Sequence, residues 1–185
     1  MDKLKLKYDI SIELIHFPLH PETPAEGRPL ADLFAGRLDH LNAMKENLTR
    51  QMAAEGLPYA DRTHTYNSRL AQELGKWAES KGSGEAFDNA MFRAYFVDTR
   101  NIGNADVLVE EAGKVGLDEV EARKVLSERS FSDAIDEDWQ RSMAMGVTGV
   151  PTYVVSPYGV VGAQPFEVLD SMLQKAEAVP RIVAP

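Results

Sequence analysis

Only the two ends of this 185-residue chain carry β-type patterning; everything between follows the helical period. Residues 8–15 (Tyr-Asp-Ile-Ser-Ile-Glu-Leu-Ile) alternate, which sets Ile10, Ile12 and Leu14 on one side of a half-buried strand. Thr152–Val155 and Gly159–Gly162 are two β-rich runs around Ser156-Pro157-Tyr158, the pattern of a hairpin. Strand character at both ends predicts one sheet shared by them, with a helical block inserted between. The expected class is α/β with an all-helical insertion. Residues 1–24 and 146–185 would form the sheet-bearing part and residues 25–145 the insertion. Lys3–Lys7 also alternate, and the pattern leaves them as either an extension of the strand or the end of a helix.

The helical block begins after Phe17-Pro18-Leu19-His20-Pro21-Glu22-Thr23-Pro24, where three prolines within seven residues forbid both helix and ladder. Leu30, Leu33, Phe34, Leu38, Leu41, Met44, Leu48 and Met52 predict one long helical region, stopped by Gly56 and Pro58. Shorter stripes follow. They are Leu70–Ala78, Phe87–Tyr95, Val107–Val115 (capped by Asn104, stopped at Gly116), Val120–Leu126 and Ile135–Met143. Val168, Leu169, Met172, Leu173 and Ala176 mark a last helix, and the tail from Val179 shows no period and is expected to be loose. Trp77 and Trp139 fall on apolar stripes and read as core. Met143 and Met145 read as gap fillers under the hairpin.

Charge and cysteine content narrow the chemistry. Twenty Lys and Arg face 29 Asp and Glu, a net charge of −9, which argues against a nucleic-acid binder. Eleven acids and four bases crowd into residues 106–138, read as a solvated helical face. No apolar run approaches the ~20 residues of a membrane span. The charged start, Met1-Asp2-Lys3-Leu4-Lys5, is unlike a signal peptide, so the expected compartment is cytoplasmic. The cysteine count is zero, which removes disulfides, thiolate metal sites and a cysteine nucleophile.

Gly146-Val147-Thr148-Gly149-Val150-Pro151-Thr152 is the most informative stretch. Pro151 begins a strand without an N–H to give, and its ring pushes Val150 into an extended conformation. Residue chemistry alone leaves the Val150–Pro151 bond open between trans, the commoner form, and cis. A cis bond would turn the Val150 backbone outward, where an extended peptide or a glutathione backbone could add as a strand. None of His16, His20, His40 and His64 has a metal-binding spacing. His16 and His20 flank the proline-rich loop, which leaves a cleft role open to them. No Gly-x-Ser-x-Gly elbow, Walker pattern or dinucleotide pattern occurs. Asn47-Leu48-Thr49 matches a glycosylation acceptor by chance, mid-helix.

In this order, several pieces together resemble the DsbA-like thioredoxin-fold family. They are Phe17–Pro21, Asn67–Ala71 with Trp77-Ala78, Ala94–Phe96, Val107-Leu108 with Gly116–Asp118, Gly146–Thr152 and Gly162–Pro165. The nearest branch is the cytoplasmic one of dithiol–disulfide isomerases and 2-hydroxychromene-2-carboxylate isomerases. The resemblance implies a thioredoxin-like sheet with a helical insertion. It also implies a cis Val150–Pro151 bond facing the active site. Gly149, Val150, Pro151 and Thr152, with His20, are the substrate-binding residues so implied. The family's first strand and its Cys-x-x-Cys turn (or Ser-led variant) would precede residues that match Met1–Lys7. No catalytic residue is therefore assigned.

Three functional readings follow. One is a thiol–disulfide oxidoreductase family member inactive in thiol exchange. A second is a glutathione-dependent, isomerase-like protein, and a third is a non-catalytic peptide- or ligand-binding module. The expected partners are an extended peptide or a small thiol ligand such as glutathione, and not nucleic acid or membrane. No metal or cofactor is expected apart from glutathione itself. The edges that the resemblance leaves unpaired could be met by direct pairing of the two neighbouring strands, by a second copy of the chain, or by a preceding segment of a longer gene product; of these a homodimer is the expectation.

Overall fold

The computed structural model describes residues 1–181. Two compact units divide it: Met1–Leu19 with Asp138 onward, and His20–Glu137.

The second unit is mainly helical. Its helices are α2 (Leu30–Leu33), α3 (Leu38–Ala54), α4 (Arg69–Ser80), α5 (Gly84–Phe96), α6 (Ala105–Lys114), α7 (Glu119–Glu128) and the first half of α8 (Ser132–Ala144). The apolar stripes meet in one core where Leu74, Trp77, Phe87, Leu108, Ala122 and Leu126 are buried. Asn104 caps α6 by accepting from the Asp106 and Val107 amides, and Asp118 caps α7 through the Glu121 amide. The single long helix expected over 30–52 is instead two. The chain breaks at Ala35-Gly36-Arg37, where Gly36 takes φ +77, a left-handed conformation that a helix cannot contain. Two short strands, β1 (Arg28–Pro29) and β2 (His64–Thr65), pair antiparallel in this unit. Their periodicity is too brief to read from sequence.

The first unit holds α1 (Asp2–Lys7), β3 (Thr152–Val155), β4 (Tyr158–Val161) and α9 (Phe166–Lys175). Leu4, Tyr8, Leu169, Met172 and Leu173 form its core, with Tyr153, Val155 and Val160 against it. The hairpin is present, with Thr152 opposite Val161 and Val155 opposite Tyr158. Its two-residue turn holds a cis Ser156–Pro157 bond, the arrangement of a type VI turn.

Three expectations are corrected here. Residues 8–15 do not form a strand: Tyr8 makes an isolated bridge to Pro180, and no ladder runs beyond it. Alternation is only a preference, and among the described residues no neighbouring strand completes it. Leu14 accordingly stands 54% exposed. The tail is held rather than loose through Arg181. The Asp9 amide donates to the Val179 carbonyl and the Arg181 amide to Lys7, at 2.8 and 2.9 Å. The remainder of the tail lies outside the described residues. Met143 and Met145 are about half exposed and fill no gap.

Candidate functional site

The Gly146–Thr152 segment is set up by the way α8 ends. The Val147 amide reaches back to the Ser142 carbonyl at 3.1 Å and the Gly146 amide to Met143 at 2.9 Å. Gly146 has φ +72, so the helix closes through a left-handed glycine and the chain leaves at a fixed angle. Thr152 donates its hydroxyl to the Gly149 carbonyl at 2.6 Å, folding the segment on itself. The Gly162 amide donates to the Pro151 carbonyl at 2.7 Å, which ties the segment to the far end of β4. The Val150–Pro151 bond is cis, and Val150 stands 48% exposed. Gly149, Val150, Pro151 and Thr152 thus form one anchored segment that presents Val150 outward. His20 belongs to the other unit, where its Nδ1 lies 3.5 Å from Glu22 Oε1.

β3 has a single ladder neighbour, β4, among the described residues. Its opposite edge, running on from Pro151, therefore offers backbone groups without a strand to receive them. The cross-strand pairs sort the hairpin's faces. Tyr153 and Val160 turn toward the α9 core, while Val154 and Val161 lie on the other face, 47% and 55% exposed. A shallow cavity of about 410 Å³ lies between β4 and α9, lined by Tyr158, Val160, Val168 and Met172 with Glu167 and Lys175. Beside it, Asp170 accepts from Lys7 Nζ and Tyr8 Oη, each at 2.9 Å. The Lys7 ammonium holds the Asp170 carboxyl below the ordinary carboxylate range.

The sequence reading missed the residues that organise the proline-rich loop. Asn67 Nδ2 donates to the Pro21 and Thr23 carbonyls, at 3.1 and 2.8 Å, while its Oδ1 accepts from the Arg69 amide. Asn101 acts similarly, donating to the Ala25 carbonyl and accepting from the Gly103 amide. Each asparagine uses both ends of its amide, the nitrogen for loop carbonyls and the oxygen for a backbone amide two residues on. An asparagine before a helical stripe was the available signal.

The fold is that of a thioredoxin-like domain with a helical insertion, and the comparisons with known proteins agree. Residues 1–174 match the DSBA-like thioredoxin domain model, and the chain belongs to that family. The crystal structure of the probable DsbA oxidoreductase SCO1869 from Streptomyces coelicolor is 33% identical, with a TM-score of 0.80 over 90% of this chain and 76% of that one. YwbO of Bacillus subtilis, an uncharacterized protein, is 24% identical over 89% of this chain and 82% of its own. Two structures more distant in sequence share the fold. A 2-hydroxychromene-2-carboxylate isomerase is 21% identical with a TM-score of 0.66, over 73% of this chain and 66% of that one. The cytosolic disulfide reductase DsbM from Pseudomonas aeruginosa, solved with GSH, is 22% identical with a TM-score of 0.54, over 73% and 77%.

Proposed function

We propose that residues 1–185 supply the binding half of a DsbA-type cleft and no thiol chemistry of their own. They take an extended backbone (a peptide or glutathione) along the free edge of β3, with Val150 and Pro151 at its head and Gly149 and Thr152 holding them in place. The observation that carries this reading is the edge itself: an anchored, outward-facing segment that continues into a strand with one neighbour. Main-chain hydrogen bonds to such an edge give affinity without a reactive group. No sulfhydryl is present in these residues, so none of them can attack a disulfide. Glutathione is a sensible occupant because DsbM, of the same fold, was solved with it. The cytosolic setting of DsbM also suits a cytoplasmic location.

A second reading concerns assembly. Val154 and Val161, exposed on the outer face of the hairpin, favour a homodimer that covers them. Light scattering at micromolar concentration reads this directly: twice the monomer mass supports it, and a monomer alone refutes it.

Binding is tested by titrating glutathione into isotopically labelled protein and following backbone amide shifts. The reading expects saturable shifts confined to 149–155 and at least a fivefold loss of affinity in Val150→Pro, which removes the leading N–H. Shifts elsewhere, or none at millimolar glutathione, would overturn it whether or not the variant folds.

A further inference from the structure

Not every arginine of the helical unit is answered by an acid. Arg69, Arg100 and Arg129 each face a carboxylate. Arg62, between α3 and β2, faces none among the described residues. Its two hydrogen bonds both leave from Nη1, at 3.0 Å to the His64 carbonyl and 2.5 Å to the Tyr95 hydroxyl. The guanidinium carbon lies 4.5 Å from the Tyr95 ring centroid and 5.5 Å from that of Phe96. Nε is buried with no hydrogen-bond partner. Nη2 bonds nothing either.

These two idle nitrogens are not independent. Nε–H and Nη2–H point the same way from a planar group, a two-donor fork whose spacing matches the two oxygens of a carboxylate. A buried donor left without a partner is costly, so a ligand oxygen placed there is favoured. The two hydrogen bonds from Nη1 and the contact with the Tyr95 ring fix the fork before any ligand arrives.

There is room beside it. A cavity of about 260 Å³ is lined by Arg62, Thr63, His64, Tyr66, Tyr95 and Thr99, with Asp61 as well. Asp61 is held by Lys45 at 2.5 Å, which spends its charge on that pair, yet its presence disfavours a doubly charged ligand. Thr63 Oγ1 lies 2.9 Å from His64 Nδ1, so the ring is oriented from the side. Thr99 sits at φ 52, a left-handed conformation that a β-branched residue takes at a cost. Such strain collects where a site needs a shape the chain does not prefer.

We infer that this cavity binds a singly charged carboxylate on the Nε–Nη2 edge of Arg62, with the body of the ligand along Tyr66 and Tyr95. The carboxylate is that of a small free acid or of a peptide's C-terminus. The site uses residues of the helical unit alone and stands whether or not β3 binds anything.

The test is a titration at constant ionic strength, following the Arg62 Nε–H resonance. Acetate represents the free acid and N-acetylglycylglycine the chain terminus; the amide of that peptide, phosphate and chloride are the controls. Saturable shifts with either carboxylate, at least tenfold tighter than with chloride or the amide, support the site and say which source fills it; the accompanying shifts of the Tyr66 and Tyr95 backbone amides should be lost in Arg62→Lys. No saturable shift with either carboxylate, or phosphate binding tighter than both, overturns it. In the wild-type protein a second readout needs no variant. Phenylglyoxal modification of Arg62, followed by mass spectrometry, should slow at least threefold in the binding carboxylate relative to chloride. An unchanged rate contradicts the site.

Discussion

Glu73 is 1% exposed and lies between two guanidinium groups. Arg69 Nε donates to it at 2.6 Å and Arg129 Nε at 2.7 Å, while Arg69 also reaches Asp136 and the Ser132 carbonyl. Burial pushes the Glu73 carboxyl up, but the bonds from Arg129 and Arg69 outweigh it and leave it below the ordinary range. Removing one partner of a buried pair strands the others, so Glu73→Gln should cost about 3 kcal/mol in urea denaturation. A loss under about 1 kcal/mol would show that the network is incidental. The sign of the pH dependence follows from the lowered pKa. The stabilisation is complete above the unfolded carboxylate value of about 4.3 and fades as pH falls through the lower folded value. Exposed Glu110, held down to about 2 by Arg100 and then Lys114, acts in the same direction. Wild-type stability should therefore fall more steeply below pH about 4.3 than that of Glu73→Gln. Parallel profiles would contradict this assignment.

At the scale of elements, the helices from α4 to α9 were legible because each carries a stripe long enough to show its period and ends at a cap or a left-handed residue. The break between α2 and α3 was not, because the apolar stripe continues across Gly36 and hides a backbone turn. Gly36 takes φ +77 with nothing within 4 Å of where a Cβ would sit, so its requirement is purely conformational. Gly36→Ala should cost about 1 kcal/mol in thermal or urea unfolding. Gly149 is the contrast: its φ is not positive and a Cβ there meets open space. Gly149→Ala should leave stability unchanged within about 0.5 kcal/mol. Equal effects at both positions would mean that the turn at 36 does not define the helix boundary. The expected strand at 8–15 failed for another reason. Its alternation was real, but a ladder needs a neighbour, and a single strand's sequence says nothing of whether one is present. The tail failed conversely: Val179–Arg181 has no pattern, yet pairs with residues 7–9 through backbone groups that every sequence possesses.

For the whole molecule, membership of the DSBA-like thioredoxin family was legible from a series of weak markers in the right order, the last of them Gly146–Thr152. The candidate binding residues came from that resemblance, not from periodicity, and the Arg62 cavity was invisible because Tyr95 and Thr99 reach it from more than thirty residues along the chain and no pattern marks Arg62 as lacking an acid. What sets this chain against the chemistry its relatives are named for is the complete lack of cysteine. The central claim is that it binds through its backbone without exchanging thiols. The most direct measurement is calorimetric titration with glutathione beside S-methylglutathione, whose sulfur cannot exchange. The account predicts saturable heats and equal affinities for the two. Absence of binding by either, or binding of glutathione alone, would contradict it.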